Sequence, residues 1–131
     1  LVTHGDRVLL VRRAVRPRRG FWSLPAGFVE AGEMPGEALS RELKEETGLS
    51  VHVEKLLQIE QLSSDRKQGL VLIYQADLAG AQPVHLSPAD DVTEAAWFSP
   101  DAIPWAALAF ASAEQTLRQW VMFQQNKEKD A

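Results

Sequence analysis

The chain has 131 residues, 45% hydrophobic and 24% charged, the size and composition of a single globular domain with a real core. Its net charge of −4 and pI near 5.4 argue against nucleic-acid polymers as partners, and the absence of cysteine excludes disulfides and cysteine nucleophiles. No apolar run approaches the ~20 residues needed to span a bilayer and no signal peptide is visible, so the expectation is a cytoplasmic protein without a membrane partner. The chain begins at Leu1 rather than Met, which leaves room for a segment ahead of it.

Asp6 to Arg12 (DRVLLVR) reads as a buried strand entered through a Gly5-Asp6 turn. Arg12, Arg13, Arg16, Arg18 and Arg19 then crowd the following loop, either as solvated charge or as a phosphate-capturing cluster. Phe21, Trp22 and Leu24 add apolar bulk, with Trp22 suited to the core or to a pocket rim where it would stack on a base. Ala26-Gly27 allows a close backbone approach.

The spacing predicts a helix from Pro35, a good first helical position, to the breaker Gly48. Met34 cannot cap it, and Gly36 weakens its first turn. Glu42, Glu45 and Glu46 stand at i, i+3 and i+4 and share one face, beside Leu39 and Leu43. A solvated acidic face is the ordinary reading of such a helix. Here Glu42 and Glu46 repel each other beside a core, so a counter-charge is required. All-oxygen donors suit Mg²⁺ or Mn²⁺, and the stretch has no histidine or cysteine for zinc.

Val51 to Gln61 and Gly69 to Ala76 read as strands joined by the polar turn SSDRKQ. Residues 78–93 are loop-like, with the acidic pair Asp90-Asp91, and Glu94 to Phe98 forms a short last strand. Ser99 is a candidate N-cap before Pro100, and Ser112 to Gln115 a capping box. The helix it opens should run to about Gln125, with Leu117, Trp120 and Val121 on one face and residues 126–131 a flexible tail. His4, His52 and His85 are scattered and read as structural or solvated. No repeat, linker or low-complexity segment divides the chain, so residues 1–131 are expected to form one domain.

Residues Gly27, Glu33, Arg41, Glu42, Leu43, Glu45, Glu46, Gly48 and Leu49 match, without exception, the pattern Gly, five residues, Glu, seven residues, Arg-Glu-apolar-x-Glu-Glu-x-Gly-apolar. On this box, and on the wording LPAGFVEAGE, the chain resembles the Nudix (MutT-like) hydrolases. The resemblance implies an α/β/α sandwich with a mixed central sheet, a catalytic loop-helix-loop and a C-terminal helix. It implies metal ligation by Glu42, Glu45, Glu46 and the Ala26 carbonyl. A supporting salt bridge between Glu33 and Arg41 is expected beside Gly27, with Arg12 or Arg13 on substrate phosphates. The general base is a box glutamate or a distant carboxylate, for which Glu94 is preferred over Asp90 and Asp91.

The implied reaction is hydrolysis of a nucleoside diphosphate linked to another group. LPAGFVE and the late segment DAIPWAALAFASAEQTL resemble ADP-ribose and FAD pyrophosphatases. The proline that often marks ADP-ribose enzymes is replaced by Asp65, and the SQPWPFP array of NADH pyrophosphatases is missing. ADP-ribose or an ADP-containing dinucleotide such as FAD or NADH is the expected substrate. Two alternatives remain: a house-cleaning hydrolase of nucleoside triphosphates or oxidised nucleotides, and a non-catalytic nucleotide-sensing domain. A homodimer is an expectation of the family, with no interface legible in the sequence.

Overall fold

Pleat alternation in one strand organises the molecule. In the computed structural model, which describes residues 1–63, 68–85 and 91–130, strand β2 (Arg7–Arg13) runs through the middle of a six-stranded sheet. Its successive side chains point to opposite faces. Val8 and Leu10 enter one core with Leu1, Ile103, Leu117 and Trp120, while Leu9 enters another with Val2, Leu43, Leu49 and Ala76.

Each core is closed by a helix. Helix α1 (Pro35–Thr47) supplies Leu39 and Leu43 to the second core, and α2 (Ala111–Asp130) supplies Leu117, Trp120 and Val121 to the first. The result is an α/β sandwich. Strand β1 (Val2–His4) lies antiparallel to β2 and parallel to β5 (Gln68–Leu78), making the sheet mixed. The sheet path is β3 (Trp22–Ser23), β2, β1, β5 and then β4 (Val51–Ser63), with β6 (Val92–Phe98) also pairing with β2.

Most element boundaries fall within two residues of those expected, with four differences. Val2–His4 and Trp22–Ser23 are strands too short to show a periodicity of their own, and pairing with β2 creates them. Helix α2 starts at Ala111, so Ser112 lies inside the first turn rather than capping it. The same helix continues past Gln125 to Asp130, consistent with the helix-forming Lys and Glu residues there. Ser99 stands at the N-cap of a short 3-10 turn (Pro100–Ala102), where its side chain makes no capping bond. Of the SSDRKQ turn, residues 64–67 lie outside the described residues, as does Asp90.

Helix α1 spans the expected residues. Gly48 closes it in the left-handed conformation (φ 74°) that glycine adopts without strain, its N–H donating to the Lys44 carbonyl. At the other end Met34 has extended N-cap geometry and its carbonyl accepts the Ala38 N–H, but it offers no side-chain cap. Met34→Ser should therefore raise stability by about 1 kcal/mol. Urea unfolding at neutral pH measures this, and an unchanged midpoint would mean that the first-turn N–H groups are already satisfied.

Candidate active site

Arg41 binds helix α1 to the loop that precedes it. Its Nε donates to Glu33 Oε2 at 2.7 Å and its NH2 to Glu33 Oε1 at 3.0 Å, a two-pronged grip on one carboxylate. NH2 also donates to the Phe28 carbonyl at 3.1 Å, and Glu33 Oε1 accepts the Glu30 N–H at 2.9 Å. The turn from Phe28 to Glu33 is thereby fastened to the second turn of the helix. Glu33 and Arg41 are both largely enclosed, and each shifts the other's titration. The Arg41 hydrogen bond holds the Glu33 carboxyl below the usual carboxylate range, and the Glu33 carboxylate holds the Arg41 guanidinium above its ordinary value.

The remaining guanidinium nitrogen faces the acidic side of the helix. NH1 donates to Glu42 Oε1 at 3.0 Å and Glu45 Oε2 at 3.2 Å, and lies 3.6 Å from Glu30 Oε1. Glu30 and the Phe28 carbonyl are partners that the sequence did not single out. Gly27 presses against the same helix: a Cβ there would overlap Glu42 Cγ and Cδ and sit 2.9 Å from its Oε1. Only glycine lets the Ala26-Gly27 backbone, exposed to solvent, come this close to Glu42.

Among the described residues, no three acidic or imidazole side chains converge as a ready-made metal cage. Glu42 and Glu45 instead converge on a guanidinium. The residues nevertheless fit a hard divalent cation in kind: the donors are all oxygens, two carboxylates already share one positive group, and Gly27 leaves room for Glu42 against its own backbone. Glu46 lies half-buried on the same helical side as Glu42.

A second group of expected residues gathers at the end of β2. Arg12 is the cross-strand partner of both Trp22 and Glu94, with its NH1 3.6 Å from Glu94 Oε2 and its guanidinium 5.9 Å from the Trp22 ring centroid. Trp22 packs edge-on against Phe98 (centroids 5.0 Å apart) and joins the core under α2. Arg12, Trp22 and Glu94 are therefore on the α2 face of the sheet, opposite the face that α1 covers. At Arg13 the pairing of β2 with β6 shifts register; its Nε donates to the Pro17 carbonyl and its guanidinium lies 5.0 Å from the ring of Phe110, next to the start of α2. Asp91 is exposed, and its carbonyl accepts the Ala14 N–H. His4, His52 and His85 are exposed and apart from both groups.

Comparison with known proteins places this architecture. The family model of the NUDIX domain matches residues 1–121. The chain is 32% identical over 122 residues to an ADP-ribose pyrophosphatase of Methanocaldococcus jannaschii, covering 92% of this chain and 70% of that one. It is 39% identical over 104 residues to the NAD-capped RNA hydrolase NudC of Pseudomonas aeruginosa, covering 79% of this chain but only 36% of NudC. The crystal structure of a NUDIX hydrolase from Nitrosomonas europaea superimposes with a TM-score of 0.80 at 27% identity, over 95% of this chain and 68% of that one.

Two outcomes follow from this geometry. Gly27→Ala should fold with a near-native melting temperature while displacing Glu42, weakening Mn²⁺ binding roughly 10–100-fold by calorimetric titration. Unaltered Mn²⁺ affinity would mean that Glu42 is free of any such constraint. The lowered pKa of Glu33 means that its ionised form stabilises the fold above the unfolded value of 4.5, and that this is lost as pH falls through the lower folded value. The gap in urea midpoint between wild type and Glu33→Gln should then be full at neutral pH and close in acid. A gap independent of pH would show that the charge contributes nothing.

Proposed function

The chain belongs to the NUDIX domain family, and on that premise we propose that it is a divalent-metal-dependent pyrophosphohydrolase of nucleoside diphosphates linked to a second group. ADP-ribose or an ADP-containing dinucleotide such as FAD or NADH is the substrate class we favour. The observation that carries the reading is the docking of α1 on its loop: Arg41 grips Glu33 while Gly27 admits Glu42, so a glutamate-bearing helix is held against an exposed backbone turn. The name of the archaeal relative supports the ADP-ribose assignment. No helix among the described residues is long and apolar enough to cross a membrane, and a cytoplasmic location is part of the same proposal.

The reaction adds water across a phosphoanhydride. A new P–O bond forms from the water oxygen, the bridging P–O bond breaks, and the water proton passes to a base. With ADP-ribose the products are AMP and ribose 5-phosphate. Glu42, Glu45, Glu46 and the Ala26 carbonyl would hold Mg²⁺ or Mn²⁺. When bound, the ion neutralises diphosphate charge and acidifies coordinated water. A box glutamate takes the proton in this scheme. Glu94, paired with Arg12 on the opposite face of the sheet, is the less favoured base. Arg12 and Arg13, at the end of β2, offer forked positive charge to phosphate oxygens. Trp22 belongs to this substrate group only through its contact with Arg12, since its ring also packs against Phe98 and the core.

Product analysis after incubation with Mg²⁺ or Mn²⁺ and a panel of ADP-ribose, FAD, NADH and nucleoside triphosphates tests the proposal. AMP from the first three is the expected result. Pyrophosphate released from triphosphates alone would reassign the substrate to the house-cleaning class, and binding without product would make the domain a sensor. Glu46→Gln should lose most turnover while retaining the wild-type circular dichroism spectrum and melting temperature. Near-normal turnover in that variant would remove Glu46 from the ligand set.

A further inference from the structure

Strand β4 is the last strand of the sheet among the described residues, and its outer edge is unpaired over a long run. It also carries apolar side chains into solvent: Leu56 is 42% exposed and Ile59 56%. Across the hairpin Leu70 on β5 is 67% exposed, so the apolar surface continues over both strands. Open edges flanked by apolar residues pair with other strands unless charges or bulges turn the partner away, and β4 carries both, so only a strand matched to its charges and bulge can pair with it.

The sequence of β4 is complementary to itself. Pairing with β5 sets the faces: Leu56 and Ile59 lie opposite Tyr74 and Leu72 on one face, while Lys55 and Glu60 lie opposite Gln75 and Val71 on the other. Residues five apart, like Lys55 and Glu60, ordinarily point to opposite faces of a strand. Here Leu57 is an extra residue without a partner on β5, and this bulge brings them into phase. An antiparallel neighbour related by a two-fold axis between Leu57 and Gln58 would set Lys55 against Glu60 of the partner subunit and Leu56 against the partner's Ile59. Each pair occurs twice. Because both strands carry the same two residues between Leu56 and Ile59, the ladder stays in step through this bulge from Lys55 to Glu60, and the second bulge at Glu54 ends it there. Moving the axis to the next register that keeps the faces matched sets Lys55 opposite Gln58 or Leu62 of the partner subunit and loses the charge pair.

We propose that the outer edge of β4 is the interface for a second copy of this chain, the two β4 strands pairing antiparallel about Leu57 and Gln58 to give one continuous sheet. Main-chain bonds and the Leu56–Ile59 pairs hold the dimer, and the Lys55–Glu60 pairs set its register.

Sedimentation velocity over a concentration series, with charge-swapped variants, tests the proposal. Wild type should show a reversible dimer. Lys55→Glu and Glu60→Lys should each weaken it by roughly tenfold, and the double variant should regain most of the loss. Circular dichroism checks that these surface variants fold. Because the chain has no cysteine, Gln58→Cys gives a second, independent readout: mild oxidation should convert it to a disulfide-linked dimer, whereas Gln119→Cys on α2 should not be linked. A monomer at the highest soluble concentration overturns the proposal. A dimer indifferent to the charge swaps, in which Gln58→Cys does not crosslink, uses another surface and overturns it equally.

Discussion

One guanidinium decides whether helix α1 and the loop before it form a site. Arg41 spends Nε and NH2 on Glu33 and the Phe28 carbonyl, and burial does little to fix this loop, because Phe28 and Val29 are largely solvent-exposed. Charge-assisted hydrogen bonds in a forked geometry supply direction as well as energy, which a hydrophobic contact would not. Lysine could not substitute, because its single ammonium cannot grip Glu33 with two nitrogens while a third faces Glu42. The close approach of Gly27 to Glu42 depends on this anchor.

The sheet then separates two groups of polar residues. Arg12 lies with Trp22 and Glu94 on the side of the sheet that α2 covers, whereas the glutamates of α1 lie on the other. A long substrate reaching both Arg12 and the α1 glutamates must therefore pass around the end of β2 rather than lie on one face. The Arg12–Glu94 pair is about half exposed, so it sets local geometry and contributes little stability.

Much of this was legible in the sequence. Helix α1 was bounded by Pro35 and Gly48, both strong local signals, and its acidic face followed from helical spacing. The grip of Arg41 on Glu33 could be anticipated only through the family resemblance. Glu30 and the Phe28 carbonyl, which share that grip, have no periodic signature. Strands β1 and β3 were invisible for a different reason: three and two residues carry no pattern, and only pairing with β2 defines them. The bulges at Glu54 and Leu57 were hidden as well, since a run such as VHVEKLLQIEQL reads as one regular strand until its partner fixes the register.

The counter-charge that the sequence demanded for its glutamates turns out to be present within the helix itself. Arg41 stands four residues before Glu45, the spacing at which opposite charges meet on a helix, and its length lets it reach Glu42 as well. This does not neutralise the site. Glu30, Glu33, Glu42 and Glu45 all surround the one guanidinium, with Glu46 on the same helical side, so the local field stays negative and remains attractive to a cation. The division of labour among the nitrogens matters here. Glu33 is held by Nε and NH2, whereas Glu42 and Glu45 share only NH1. Glu33 therefore keeps the loop docked through two nitrogens that Glu42 and Glu45 do not use, so a change in what those two carboxylates bind need not release the loop from the helix.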